Sequence, residues 1–391
     1  MKKRFSAIIL TAALALSLTA CDSIGDAIKD AVGDAVKDAV SDRDTANTPG
    51  GNGGADTRDT GGASGAVWID IADSTLGDDI LYHISYVNDK FIASLYSIEK
   101  GKRYLAYSAD GMSWTAAKDF DFTFDNLDIS VNSIAYGGGM YVAVGRGIAY
   151  SEDGINWYPV EDSDALFPNS GTGIHDVVWG NGMFVAVGYA GQAAYSADGI
   201  NWTSVEDLLF FVANDWGFGS ASNIECVAYG GGMFVAGSCY GDVAYSPDGI
   251  NWTLAVEATR RSDTVEQING IAWGGGIFVA AGREGKLTYS PDAINWTVVD
   301  GAFRGDYGAD FFDVVYAGER FVAVGCNYLT VYSTDGINWL TLPEERTIAG
   351  PGDYISYNSI AYNRGKFVTG GYGGGTSTPL GSVGIISYWA P

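Results

Sequence analysis

From residue 66 onward the chain sets short apolar runs between glycine-rich and Asp-Gly turns, and the pattern returns at a regular interval. "NSIAYGGGMYVAVG" at 132–145 shows half of the unit: an apolar run ending in an aromatic, a glycine turn, then a second apolar run. A third run ends in Tyr-Ser, a tight turn comes next, and a fourth begins at tryptophan. Runs this short, rich in Val, Ile, Tyr, Trp and Phe and bounded by turn residues, predict strands rather than helices. The third turn recurs six times, as YSADGMSW, YSEDGINW, YSADGINW, YSPDGINW, YSPDAINW and YSTDGINW, ending at Trp114, Trp157, Trp202, Trp252, Trp296 and Trp339. These tryptophans are 43, 45, 50, 44 and 43 residues apart. A period of 40–50 residues with four strands per unit predicts the blades of a β-propeller.

The ends of the repeat set the expected blade count. Residues 355–389 hold another set of strands, "NSIAY", "KFVTGGY" and "GIISYW", which stops before a fourth. The isolated segment "AVWIDI" at 66–71 carries Trp68 where a box tryptophan would lie. Placed as the missing outer strand, it would close the ring and remove its open edges. The sequence therefore predicts an all-β, seven-bladed β-propeller over 66–391, closed by an N-terminal outer strand.

The box resembles a shortened Asp-box (BNR) repeat, the Ser-x-Asp-x-Gly-x-Thr-Trp motif of sialidases, sortilin-type propellers and photosystem II assembly factors, with one residue fewer between Asp and Gly. It is more similar still to the BNR-like repeats of bacterial envelope proteins. The resemblance implies a hairpin-stabilising role for Asp110, Asp153, Asp198, Asp248, Asp292 and Asp335 with the six tryptophans above, and a site elsewhere. Sialidases further use an arginine triad, a Tyr/Glu nucleophile pair and an acid; only Arg146 and Arg283 fall at matching positions here, and no Arg-Ile-Pro motif is present.

Ahead of the repeat, Lys2, Lys3 and Arg4 precede an apolar run from Phe5 to Leu18 that is too short to span a bilayer. Leu18-Thr19-Ala20-Cys21 resembles the bacterial lipobox, so 1–21 reads as a lipoprotein signal with Cys21 as the lipidated residue. Aspartate at position 22 favours inner-membrane retention by resemblance to enterobacterial sorting. Aspartate recurs at every fourth position from Asp22 to Asp42, as do Ile24, Ile28, Val32, Val36 and Val40. This spacing gives either a short amphipathic helical stalk over 22–42 or a frayed one. Residues 43–65, without apolar periodicity, read as a flexible linker. The expected location is the bacterial cell envelope, at a membrane held through the lipid.

With 47 acidic against 22 basic residues the net charge is −25, which argues against nucleic acid as a partner. Propeller geometry puts the glycine and box turns on one face and the variable ends of the first two strands on the other. There, positions after the second strand hold Tyr96, Arg146, Tyr189, Cys239, Arg283, Cys326 and Tyr372. Positions on the first strand hold Tyr82, Asn132, His175, Glu225, Asn269, Phe312 and Asn358. Converging on one mouth, they offer arginines, aromatics, a histidine and a carboxylate to a polar or anionic ligand. Asp119, Asp121, Asp125 and Asp128 form a candidate calcium cluster without EF-hand spacing; no other cofactor is expected. Phe210, Phe211, Trp216 and Phe218, in the longest insertion, read equally as a partner-binding patch or as a loop folded back on the propeller. Cys226 and Cys239 read equally as a disulfide or as free thiols, and Cys326 lies too far from either.

The two histidines, His83 and His175, belong to no metal-ligand motif, and neither a nucleophile elbow nor a phosphate loop stands out. The sequence therefore favours a membrane-anchored binding or assembly module for an envelope protein, peptide or glycan. The rival is a carbohydrate-active hydrolase or lyase. That chemistry needs two acids facing each other across the mouth, and only Glu225 with Asp176 or Asp313 qualifies.

Overall fold

The computed structural model describes residues 69–70, 76, 79–117, 131–167, 173–205, 211–213, 219–255, 267–299, 309–342, 354–374 and 383–389. Cys21, the 22–42 stalk, the 43–65 linker, Trp68, the Asp119–Asp128 cluster, Phe210, Trp216 and Phe218 lie outside these residues. The chain is an all-β propeller, and the described parts belong to one compact unit, Ala63–Pro391.

The count of seven blades is corrected to six. Six blades are continuous in sequence, each an antiparallel meander of four strands that begins at Ile80, Val131, Ile174, Ile224, Ile268 or Phe311. In each, a box turn joins a third strand ending in Tyr-Ser to a two-residue outer strand. The sheet after blade 6 is built differently. Tyr354–Asn363, Lys366–Gly374 and Val383–Trp389 run for 10, 9 and 7 residues, and Ile69 and Asp70 pair with Tyr388 and Ser387 at the outer edge. This composite sheet brings the ring to seven four-stranded sheets. It carries no box, and of the outer strand expected from "AVWIDI" Ile69 and Asp70 are the described residues. The reason lies in the sequence: the box supplies the hairpin that defines a blade, and it occurs six times.

The seven inner strands contact one another in cyclic order, the composite sheet standing between blade 6 and blade 1. Second strands are sandwiched between neighbouring sheets and are buried on both sides, as in "MFVAVG", where only Met183 keeps partial exposure. Outer strands such as Thr203–Ser204 are exposed. The core thus lies between blades, with Phe184, Phe234, Phe278 and Phe321 each at 0–1% exposure. Each such ring contributes about 1.5–3 kcal/mol through burial.

Of the three glycines that follow Tyr136, Tyr229 and Trp273, the second and third make the turn: Gly231 and Gly232 have φ of 58° and 83°. The first serves another purpose. A Cβ on Gly137 would fall 1.9 Å from Trp179 of the next blade, and one on Gly230 1.9 Å from Trp273. The aromatic that ends each inner strand lies directly on the preceding blade's backbone, so glycine there sets the distance between blades.

Candidate functional site

The box face is repetitive, and its carboxylates are held by local donors; the indole N–H of Trp157 alone among the six box tryptophans lacks the carbonyl bond the others make. In blade 3, Asp198 Oδ1 accepts from the Ile200 and Asn201 amides at 2.9 and 2.8 Å and from Ser196 Oγ, while Oδ2 accepts from Asn201 Nδ2. Trp202 Nε1 donates to Gly199 O at 3.0 Å. Asp153, Asp248, Asp292 and Asp335 repeat this pattern, and Asp110 differs only in having Ser113 in place of the asparagine. Burial pushes the Asp198 carboxyl up, but its amide and side-chain donors outweigh this and bring it down to about 2.

The opposite mouth departs from blade to blade. Tyr189, Arg283 and Cys326 each open a single 3-10 turn whose second residue, Ala190, Glu284 or Asn327, has φ of 51–56°. Their amides donate to the carbonyl just before the inner strand of the same blade, Gly173, Gln267 and Asp310. The next blade caps two of these turns: Asn223 Oδ1 accepts from the Ala190 amide and Asp310 Oδ1 from the Glu284 amide. The turns are therefore rigid mounts for side chains. Tyr189, Arg283 and Arg146 are half-buried, and neither arginine has a side-chain partner among the described residues. Tyr96 and Tyr372 lie inside strands, because those hairpins run longer. Arg103 stacks over the Tyr82 ring at 4.6 Å.

The inner-strand candidates do a different job. Asn132 Nδ2 donates to Ile174 O, Asn269 Nδ2 to Phe311 O and Asn358 Nδ2 to Leu81 O, at 2.9, 2.6 and 3.1 Å. His175 Nδ1 is 3.0 Å from Ile224 O and 3.2 Å from Glu225 Oε2. Every one of these carbonyls belongs to the next sheet around the ring. A β-bulge at this position in each inner strand turns the side chain toward its neighbour. Burial pushes the His175 ring down, yet its bond to Glu225, the Glu225 charge and Ile224 O more than offset this and raise it.

One residue beyond the bulge lies a ring of side chains that sequence reasoning did not bring together, although it named Asp176 and Asp313 as acids near Glu225 and named His83 and Cys226 singly: His83, Ser133, Asp176, Cys226, Asp313 and Ser359, with Gly270. Asp176 Oδ2 accepts from the Val227 amide and Asp313 Oδ2 from the Ile360 amide, both at the next sheet, and Ser359 Oγ accepts from Ile84 N. Ser359 Oγ also donates to Asp313 Oδ2 at 2.9 Å and lies 3.5 Å from His83 Nδ1. Ser85 Oγ donates to Ile134 O, so it accepts from His83 Nε2 at 2.7 Å, which places the proton of the neutral ring on Nε2. Desolvation lifts Asp176 and Asp313 to about 6 and lowers His83 to about 4. Both carboxylates thus serve as inter-sheet acceptors. The bulge that exposes this ring leaves no signature in composition, which is why counting along the strands stopped one residue short.

Cys226 and Cys239 are free thiols, the first 3.9 Å from Ile268 O and the second 3.5 Å from Ser222 Oγ. Of the long insertion, only the paired backbone of Phe211–Ala213 and Gly219–Ala221 is described.

No family model matches the chain, and no curated protein does. Among solved structures, it is similar to YCF48 bound to D1 peptide, with a TM-score of 0.57 and 16% identity over 83% of this chain and 95% of that one. YCF48 from Cyanidioschyzon merolae gives 0.56 and 15%, over 83% and 98%. At such identity the likeness establishes the propeller fold.

Proposed function

We propose that the chain is a membrane-tethered binding module that holds a protein or peptide at the propeller mouth opposite the box turns. The observation carrying this reading is the contrast between faces. One repeats six times with its box carboxylates held by local donors; the other mounts different side chains on 3-10 turns, two of them capped by the next blade, and leaves Arg146 and Arg283 unpaired among the described residues. A similar propeller, YCF48, has been solved with a peptide bound. The tether rests on the lipobox resemblance at Leu18–Cys21. Asn132, Asn269, Asn358 and His175 serve in this reading as inter-sheet ties beneath the mouth, leaving Tyr96, Tyr189, Arg146, Arg283, Glu225 and Tyr372 for contact. The test is a peptide array probed with the native protein and with Arg146→Ala/Arg283→Ala. Loss of at least tenfold in affinity for the selected peptides supports the reading, since two charge-assisted contacts account for that much. Unchanged affinity overturns the choice of face.

A further inference from the structure

Blade 2 departs from its own repeat at two neighbouring positions, and both departures line one pocket. Between the box serine and aspartate, the other blades have Ala109, Ala197, Pro247, Pro291 and Thr334, whereas blade 2 has Glu152. After the box tryptophan they have threonine or leucine, whereas blade 2 has Tyr158. Tyr158 pairs in register with Tyr150, their ring centroids 5.7 Å apart at 35°, and Tyr158 stays 54% exposed. With Asp153 and Asn156 these residues line an open pocket of about 330 Å³ at the outer edge of the blade.

We propose that this pocket binds an organic cation, and that the head group it fits is the guanidinium of a partner's arginine side chain. Two tyrosine rings beside the Glu152 carboxylate provide what a flat cation needs, a π surface to stack on and an open acceptor for its fork of N–H groups, and Asp153, whose oxygens already accept from the box, adds its charge. Asp153 supplies a fixed charge, because its amide donors hold it near 2. Glu152 has no ion-pair partner among the described residues. Lys90 of blade 1 donates to the main-chain oxygen of Asp153 at 2.6 Å and lies over the Tyr141 ring at 5.4 Å, and it does not line the pocket. The chain's charge of −25 draws cations toward it from every side, but that attraction is not specific to this blade. The site is separate from the mouth, and Arg146 and Arg283 have no part in it.

The test is calorimetric titration of the full chain with N-acetylarginine methylamide, its neutral citrulline analogue, tetramethylammonium, and an arginine-containing peptide. Glu152→Ala/Tyr158→Thr serves as the variant, since it restores residues the other blades already carry and changes the overall charge by one. The arginine compound is expected to bind at about millimolar affinity, as one cation–π contact with one ion pair allows. Citrulline should bind at least tenfold weaker, and the double variant should lose at least tenfold for arginine. Tighter binding of the peptide than of the single amino acid derivative identifies a macromolecular source for the cation. A double variant that binds arginine as well as the native protein does overturns the site, because what remains is the general attraction of an acidic surface. Tetramethylammonium binding as tightly as arginine overturns the guanidinium assignment.

Discussion

The ring of polar side chains inside the propeller makes stability depend on pH in a way that one substitution should expose. His83 is held at about 4, below its ordinary 6.5, so the stability gained by keeping it neutral is present above pH 6.5 and is lost as pH falls toward 4. Asp176 and Asp313 are raised from 3.8 to about 6, so their contribution is present below 3.8 and is lost as pH rises through 6. The two effects oppose each other across the same window. Between pH 7 and pH 5, these values correspond to a loss of about 2 kcal/mol from His83 and a gain of about 1 kcal/mol from each aspartate. All three side chains keep part of their surface exposed. Solvent there screens them, and about half of each figure is the working expectation.

The native protein should therefore change by less than about 1 kcal/mol on acidification from pH 7 to 5, because the terms nearly cancel. His83→Gln, which keeps a donor toward Ser85, removes the opposing term. The variant is expected to be less stable than the native chain at pH 7. It should nonetheless gain about 1–1.5 kcal/mol on moving to pH 5. His175, raised by Glu225, adds to that gain in both proteins and so drops out of the difference. Urea denaturation monitored by tryptophan fluorescence at the two pH values measures both slopes. If the two pH dependences agree within about 0.3 kcal/mol, His83 is not the neutral group the geometry describes, and the reasoning fails.

Asn269→Ala deletes the 2.6 Å bond to Phe311 O and should cost about 1–2 kcal/mol in thermal or urea unfolding while leaving peptide affinity at the mouth unchanged; a loss of affinity with stability intact would move Asn269 back among the contact residues. Gly249→Ala puts a Cβ at φ 74° and 2.8 Å from Val185 Cγ2, and should cost more than about 2 kcal/mol; a variant melting at the native temperature would contradict the box geometry. Cys21→Ser should abolish incorporation of a labelled fatty acid and free the chain from membranes without detergent, and persistent labelling would end the lipoprotein reading.

Much of the fold was legible because each blade repeats its reasons. Strand boundaries came from turn residues, and the face of each turn came from propeller geometry. Two features were not legible. The blade count went astray at the composite sheet, where three strands without a box look in sequence like the start of another blade. The first glycine of each triplet looked like a turn residue, yet its role is to admit an aromatic some 42–43 residues later, a contact no local pattern encodes.

The site was harder to read for a physical reason. A count along an inner strand assumes that side chains alternate, and the bulge breaks that alternation at the position where the mouth meets the channel. The asparagines that read as ligand contacts are turned toward the neighbouring carbonyl. Asp176 and Asp313, one step further along, accept from the Val227 and Ile360 amides of the next sheet. The repeat itself holds the sharper signal. Where six copies share a scaffold, a residue present in one copy alone is not explained by the scaffold. Glu152 and Tyr158 stand out by this comparison, whereas arginine recurs at one position in two copies, as Arg146 and Arg283, and Asn132, Asn269 and Asn358 share a residue type because they share a task.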